Sequence, residues 1–198
     1  SHPGISGRMF SAMGRNAVNI RAIAQGSSEK NISAVIATKD VKKAINVLHE
    51  EFFEASYKQI NLFIAGTGNV GAKLLGQLQQ QLDFLQQRMK LQVRIAGITN
   101  SRKMLISEEG IDINNWKELL ENGEPANLSV FVNTVIAKNL RNSIFVDITA
   151  NDAVAAIYNQ LLQKSISVVA CNKVAASSAY PNYKKLKDLA REYNCQFL

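Results

Sequence analysis

The chain has 198 residues, 46% of them hydrophobic, and a formal net charge of +7. That is enough for one large or two small domains with a buried core. No apolar run is long enough to span a bilayer, and the N-terminus lacks the regions of a signal peptide, so no membrane contact and a cytoplasmic setting are expected. The positive residues are scattered and not interleaved with aromatics, so no nucleic acid is expected as a partner. The densest group, Lys184-Lys185-x-Lys187, falls on a predicted helix as a solvated face. Cys171 and Cys195 lie at predicted strand ends and are expected to be buried thiols in a reducing compartment, neither a disulfide nor a metal site. The abrupt start at Ser1 and stop at Leu198 lead to the expectation of a piece of a longer protein.

Residues 4–16 carry Ile5, Met9, Ala12 and Met13 at helical spacing, after a break at Pro3-Gly4. Residues 18–25 predict a strand, with Val18, Ile20, Ala22 and Ala24 alternating against polar neighbours. A polar turn over 26–31 leads to a second strand over 32–38, and the short connection predicts a hairpin. Asp40 is placed to cap a helix running to residue 51, with Val41, Ala44, Ile45 and Leu48 inward and His49 at the surface.

Pro3-Gly4-Ile5-Ser6-Gly7, followed by Val18-Asn19-Ile20-x-x-Ile23-Ala24-Gln25-Gly26-Ser27-Ser28-Glu29, resembles the last ACT regulatory module of aspartate kinases. The resemblance implies a ferredoxin-like α+β module of order βαββαβ, partial here because its first strand would precede Ser1. It also implies an effector amino acid bound where two modules meet, with Asn19, Ile20 and Gln25 at effector-contacting positions. A strand-end amide and exposed backbone suit the carboxylate and amine of an amino acid. Gln25 serves equally well as a cap on the hairpin, and the residues leave both roles open.

A connector over 53–59 contains neither Pro nor Gly and is expected to hold two modules together, 1–57 and 58–198. The second opens with Ile60-Asn61-Leu62-Phe63-Ile64-Ala65-Gly66-Thr67-Gly68-Asn69-Val70-Gly71. An apolar run ends in G-x-G-x-x-G and a helical pattern follows, which is the strand, phosphate loop and helix of a dinucleotide-binding unit. Gly66 is expected to turn the chain off the strand, Gly68 to let a pyrophosphate approach the backbone, and Gly71 to let the helix lie on the strand. The helix start then favours an anion. Along that helix Val70, Leu74, Leu78, Leu82, Leu85 and Met89 form a core stripe.

A second strand over 91–98 ends in Thr99-Asn100-Ser101-Arg102-Lys103. An NAD site expects a carboxylate there for the ribose hydroxyls. None is present, and Ser101, Arg102 and Lys103 would attract a 2′-phosphate, so NADP is expected, with NAD possible. The alternative is that Arg102 and Lys103 are ordinary solvated charges. Helices are predicted over 112–122, 128–140, 152–164 and 183–193, and strands over 143–148, 166–171 and from 196. The alternation predicts an α/β Rossmann-type doubly wound parallel sheet, with ligands beyond the carboxyl ends of its strands.

Ile64 to Gly71, then Phe145-Val146-Asp147-x-Thr149, then Val168-Val169-x-x-Asn172-Lys173-x-Ala175 resemble, in order, the nucleotide-domain motifs of homoserine dehydrogenases. The resemblance spans 60–198 and implies Thr149 and Lys173 near the nicotinamide, with Lys173 also approaching the substrate as the catalytic residue. Where the family commonly has Thr-Ser, this chain has Thr149-Ala150, so no hydroxyl is available at Ala150. An ACT module placed first resembles the order in bifunctional aspartokinase–homoserine dehydrogenases, with the kinase upstream and the substrate-binding segment downstream. That order implies a small-molecule substrate, an amino-acid effector and homo-oligomers through both regions. A non-catalytic sensing and dimerisation module with a scaffold Rossmann domain is the competing reading.

Overall fold

The computed structural model describes residues 4–26, 31–53, 57–176 and 179–198, with only the backbone of Ala175 and Ala176. It divides into two compact units, Ser1–Tyr57 and Lys58–Leu198. The predicted turn over 26–31 and connector over 53–59 each include positions outside the described residues.

In the first unit, helix α1 (Ile5–Arg15) buries Met9, Ala12 and Met13, while Ile5 is exposed. Strands β1 (Ile20–Gln25) and β2 (Ile32–Ile36) pair antiparallel, with Ile20 opposite Ile36 and Gln25 opposite Ile32. A 3-10 turn, Thr38–Asp40, leads into α2 (Val41–Phe52). The small core joins Met13, Val18 and Ala44, with Ile20, Ile36 and Leu48 against it.

Two expectations are corrected here. Asp40 does hold the N-cap position of α2, but it is buried at the end of the 3-10 turn and its side chain makes no capping hydrogen bond. The turn supplies the local bonding, through Asp40 N–H to the Ala37 carbonyl. Helix α2 turns Ala44 and Val47 inward, not Val41 and Ile45, which are 40% and 61% exposed. A two-stranded hairpin covers only a narrow stripe of a helix, and for the same reason Ala22, Ile23 and Ala24 of β1 are exposed. Glu51 ties the helices, accepting from Arg8 Nε and Arg15 Nη2 at 3.1 Å each. Both arginines are more than half exposed, so each pair is worth at most about 1 kcal/mol.

The second unit is a six-stranded sheet of order β6-β5-β4-β3-β7-β8. Strand β3 (Lys58–Ala65) lies between β4 (Leu91–Thr99) and β7 (Ser143–Asp147), parallel to both, and β8 (Ser167–Ala170) extends the parallel set. The expected all-parallel sheet thus holds for four strands. Two further strands, β5 (Lys103–Ile106) and β6 (Glu124–Pro125), form an antiparallel rim. They are too short, at four and two residues, to show a period in the sequence. The predicted last strand is a parallel bridge, Phe197 beside Val168.

Because helices cover both faces, β3 is apolar on both. Phe63 joins Phe131, Phe145, Tyr158, Leu161 and Val168 in one cluster. Ile64, its neighbour, joins Leu75, Ile98, Leu120 and Val146 in the other. The first cluster is built on α5 (Leu128–Lys138), α6 (Asp152–Ala156), α7 (Tyr158–Leu162) and α9 (Tyr180–Glu192). The second rests on α3 (Asn69–Gln87) and α4 (Trp116–Glu121). The short α8 (Lys173–Ala176) follows β8. Among the described residues no helix is long and apolar enough to cross a membrane.

The predicted helix over 152–164 is interrupted at Ile157, whose N–H bonds the Val154 carbonyl three residues back. The stripe on α3 is also shifted. Leu75 is fully buried, Leu74, Leu78 and Leu82 only partly, and Val70 and Met89 are 61% and 54% exposed. Gly71, held against the preceding loop, sets the helix phase so that Leu75, one turn on, meets the sheet. Cys171 is exposed rather than buried, because it follows the strand end; Cys195 is half-buried.

Leu75→Ala is expected to cost about 2–5 kcal/mol in urea unfolding, and Met89→Ala under about 0.5 kcal/mol. The thiols should also separate by rate. Burial pushes the Cys195 thiol up to about 11, leaving little thiolate at pH 8. Iodoacetamide at that pH should therefore label Cys171 first, as read by mass spectrometry.

Candidate functional site

The end of β3 meets the start of α3 in a loop whose three glycines have different neighbours. Gly66 has φ of 100°, and a Cβ there would stand 2.7 Å from the Ile148 carbonyl oxygen. Its N–H donates to the Thr99 carbonyl at 2.8 Å, while Ile148 N–H donates to the Ala65 carbonyl at 2.8 Å. The first glycine is therefore required where the loop passes the end of β7. A Cβ on Gly71 would lie 2.1 Å from the Gly66 carbonyl oxygen. The third glycine thus lets the helix close on the loop, a more local contact than the expected one with the strand. Gly68 differs: nothing lies within 4 Å of a Cβ built there. The protein's own packing does not demand that glycine, and the space before it is open to a ligand. No side chain caps the first turn of α3, and Asn69 and Val70 beside it are exposed. Such a helix start offers backbone N–H groups and a positive dipole end to an anion.

On one side of this loop lies the turn after β4. Asn100 organises it: its Oδ1 accepts from the N–H groups of Arg102 and Lys103, each at 2.8 Å. Its Nδ2 donates to Thr67 Oγ1 at 3.3 Å, joining the turn to the glycine loop. Ser101 and Arg102 are exposed at the tip. Lys103 already belongs to β5, and its Nζ donates to the Gly123 carbonyl at 3.0 Å. The structure therefore sets Ser101 and Arg102 beside the loop but commits the Lys103 ammonium elsewhere. An Asn followed by Ser after a strand is an Asx-turn signal, and Asn100 fills that role here.

On the other side are the ends of β7 and β8. Thr149 N–H donates to Asp147 Oδ1 at 2.8 Å, and Thr149 Oγ1 accepts from Asn151 N–H at 3.2 Å. Asp147 is fully buried, and its Oδ2 accepts from Tyr158 Oη and, at 3.0 Å, from Asn172 Nδ2. Burial, then the hydrogen bond to Asp147, pushes the Tyr158 phenol well above its ordinary value, so it remains a donor throughout the working pH range. Lys173 is exposed at the first position of α8, directly after Asn172. Tyr158 carried no sequence signal beyond that of a core aromatic.

In the first unit, Asn19 and Ile20 stand at one end of β1 and Gln25 at the other, opposite Ile32. Asn19 and Gln25 are exposed, whereas Ile20 packs on the core. Ile20 and Gln25 are five residue steps apart along the strand, about 17 Å, so one module does not gather all three around an amino acid.

An open second glycine and an uncapped helix start, at the carboxyl edge of a parallel sheet, define a dinucleotide-binding domain of the Rossmann type. The comparisons narrow this. The family model described as homoserine dehydrogenase, NAD binding domain, matches residues 66–198, and an ACT domain model matches residues 1–52. The chain belongs to the homoserine dehydrogenase NAD-binding family and carries an ACT domain ahead of it. It is 42% identical, over 97% of its length, to the chloroplastic bifunctional aspartokinase/homoserine dehydrogenase 2 of Arabidopsis thaliana. It is 34% identical over 98% of its length to the bifunctional enzyme of Haemophilus influenzae. It spans 21% and 24% of those two relatives. Among solved structures, a hyperthermophilic archaeal homoserine dehydrogenase in complex with NADPH aligns over 71% of this chain and 43% of its own. The TM-score is 0.58 at 23% identity, a likeness of fold.

The three glycines should respond differently to a methyl group. Gly68→Ala should leave stability within about 0.5 kcal/mol and weaken dinucleotide binding at least about tenfold. Gly66→Ala should lose about 2 kcal/mol or more of stability, through its positive φ and the Ile148 carbonyl. Calorimetric titration and thermal unfolding separate the two outcomes.

Proposed function

We propose that residues 58–198 form the NADP(H)-binding domain of a homoserine dehydrogenase that interconverts aspartate 4-semialdehyde and homoserine, within a bifunctional aspartokinase–homoserine dehydrogenase. The observation that carries this reading is the open space at Gly68, where the protein itself has no need of a glycine. In this reading Gly66, Thr67, Gly68, Asn69, Val70 and Gly71 cradle the diphosphate. Ser101 and Arg102 receive the 2′-phosphate, with Lys103 adding charge nearby, and NAD(H) is a weaker alternative. The bound nicotinamide supplies or accepts the hydride. Thr149 orients that end of the cofactor, and the Lys173 ammonium steadies the alkoxide-like oxygen of the substrate.

The ACT domain senses an amino acid. Because Asn19 and Gln25 lie at opposite ends of one strand, a single effector is gripped only where two modules meet. This favours a homo-oligomer paired through its ACT modules; pairing through the dehydrogenase region rests on the family resemblance alone.

Thermal unfolding with NADPH, NADH and threonine added separately tests the whole. A ligand at about 100 times its dissociation constant adds about 2.7 kcal/mol. NADPH should stabilise the chain; stabilisation by threonine alone would leave only a sensing and pairing role. Arg102→Glu should lower NADPH affinity about tenfold and leave NADH nearly unchanged, since only the 2′-phosphate meets the reversed charge. Homoserine oxidation by these 198 residues alone is expected to be undetectable while cofactor binds, because the family resemblance places the substrate-binding segment after the nucleotide domain and the chain spans 21% of the bifunctional Arabidopsis relative.

A further inference from the structure

We infer that Tyr158 and Asn172 are positioning residues which, through Asp147, lock two strand ends into the wall that receives the nicotinamide half of the cofactor. The inference rests on the functional reading above. Sheet order assigns the sides. The turn after β4, with Ser101 and Arg102, flanks β3 on one edge, where the adenosine ribose lies in folds of this kind. Strands β7 and β8 flank β3 on the other edge, so the remaining half of a dinucleotide extends over their ends.

Those ends are held by one fully buried carboxylate. Asp147 Oδ1 takes the Thr149 N–H, and Oδ2 takes Tyr158 Oη and Asn172 Nδ2. Asn172 Nδ2 also donates to the Asn151 carbonyl at 3.0 Å, while its Oδ1 accepts from Val174 N–H at 3.1 Å. Cys171 N–H donates to the Asp147 carbonyl at 2.8 Å. The loops 148–151 and 171–174 therefore share a single anchor. Thr149, half-exposed, and Lys173, exposed, lie on those loops and take their places from it. Tyr158 supplies the anchor from α7, behind the sheet edge, with its ring 5.8 Å from that of Phe197. Removing its hydroxyl leaves the ring packing in place but takes one donor from the carboxylate. The loops then loosen at the nicotinamide wall, whereas the glycine loop and the Asn100 turn keep their own bonds.

The test compares two probes on the same 198-residue chain: NADPH, and adenosine 2′,5′-bisphosphate, which has no nicotinamide. Tyr158→Phe is expected to weaken NADPH about tenfold and to leave the bisphosphate within about twofold, by calorimetric titration well below the unfolding temperature. Asn172→Ala should show the same selective loss. Leu162→Ala, a fully buried position on the same helix with no bond to Asp147, lowers stability and should change neither affinity. Equal losses for both probes, or no loss in Tyr158→Phe, would overturn the inference. A third readout needs no variant: NADPH, unlike the bisphosphate, should slow hydrogen exchange at the Thr149 and Val174 amides, and its failure to do so also counts against the lock. If the unaltered chain bound neither probe, the cofactor reading itself would fall. Binding of both with no selectivity in the variants would remove the lock alone.

Discussion

The Gly66 carbonyl oxygen occupies the place where a side chain at position 71 would begin. Much of the larger unit follows from that contact. It brings the first turn of α3 down onto the strand end and fixes the helix phase. With the phase fixed, Leu75 meets Ile64 and Ile98, and Val70 turns to solvent. The same closure leaves the front of Gly68 clear. Structural need and ligand need are thus divided among three glycines of one motif. Two satisfy the chain's own backbone, and one has no internal reason to be small.

Around that loop the polar groups form two independent holdings. Asn100 spends both ends of its amide on one side, tying Thr67 to the turn that presents Ser101 and Arg102. Asp147 gathers the strand ends on the other. Each is a short polar side chain that replaces missing ladder bonds where the sheet stops. A buried carboxylate is costly unless its lone pairs are filled, and here three donors from separate segments fill them. That cost gives the arrangement its rigidity, since loosening any one donor exposes the rest.

The sequence carried the strand–loop–helix at 60–87 plainly, because an apolar run, a glycine pattern and a helical period adjoin there. It carried the parallel alternation of β3, β4, β7 and β8 as well. What it hid has physical causes. Strands β5 and β6 are too short for a period, and the pairing of β5 with β4 is set by the Asn100 turn rather than by their own residues. The inward face of α3 could not be phased from leucines spaced every four residues, since the contact that sets the phase is made by a glycine. In the smaller unit, Val41 and Ile45 look like core on any periodicity, yet a two-stranded hairpin has too little surface to cover them. Tyr158 was invisible as a polar partner, because a tyrosine among apolar helix residues looks like packing until its hydroxyl is placed. Arg102 and Lys103 are adjacent and alike in charge, but the start of β5 between them sends the two side chains to different neighbours.

The antiparallel rim has a consequence for how the molecule keeps company with others. Strand β6 is two residues long, begins with a carboxylate at Glu124, and ends with Pro125, which has no N–H to offer. A neighbouring chain seeking to add a strand finds almost no ladder to join there. The opposite margin is already occupied by the segment around Phe197, bonded in parallel to Val168. Growth of the sheet from molecule to molecule is therefore blunted on its β6 side by composition alone.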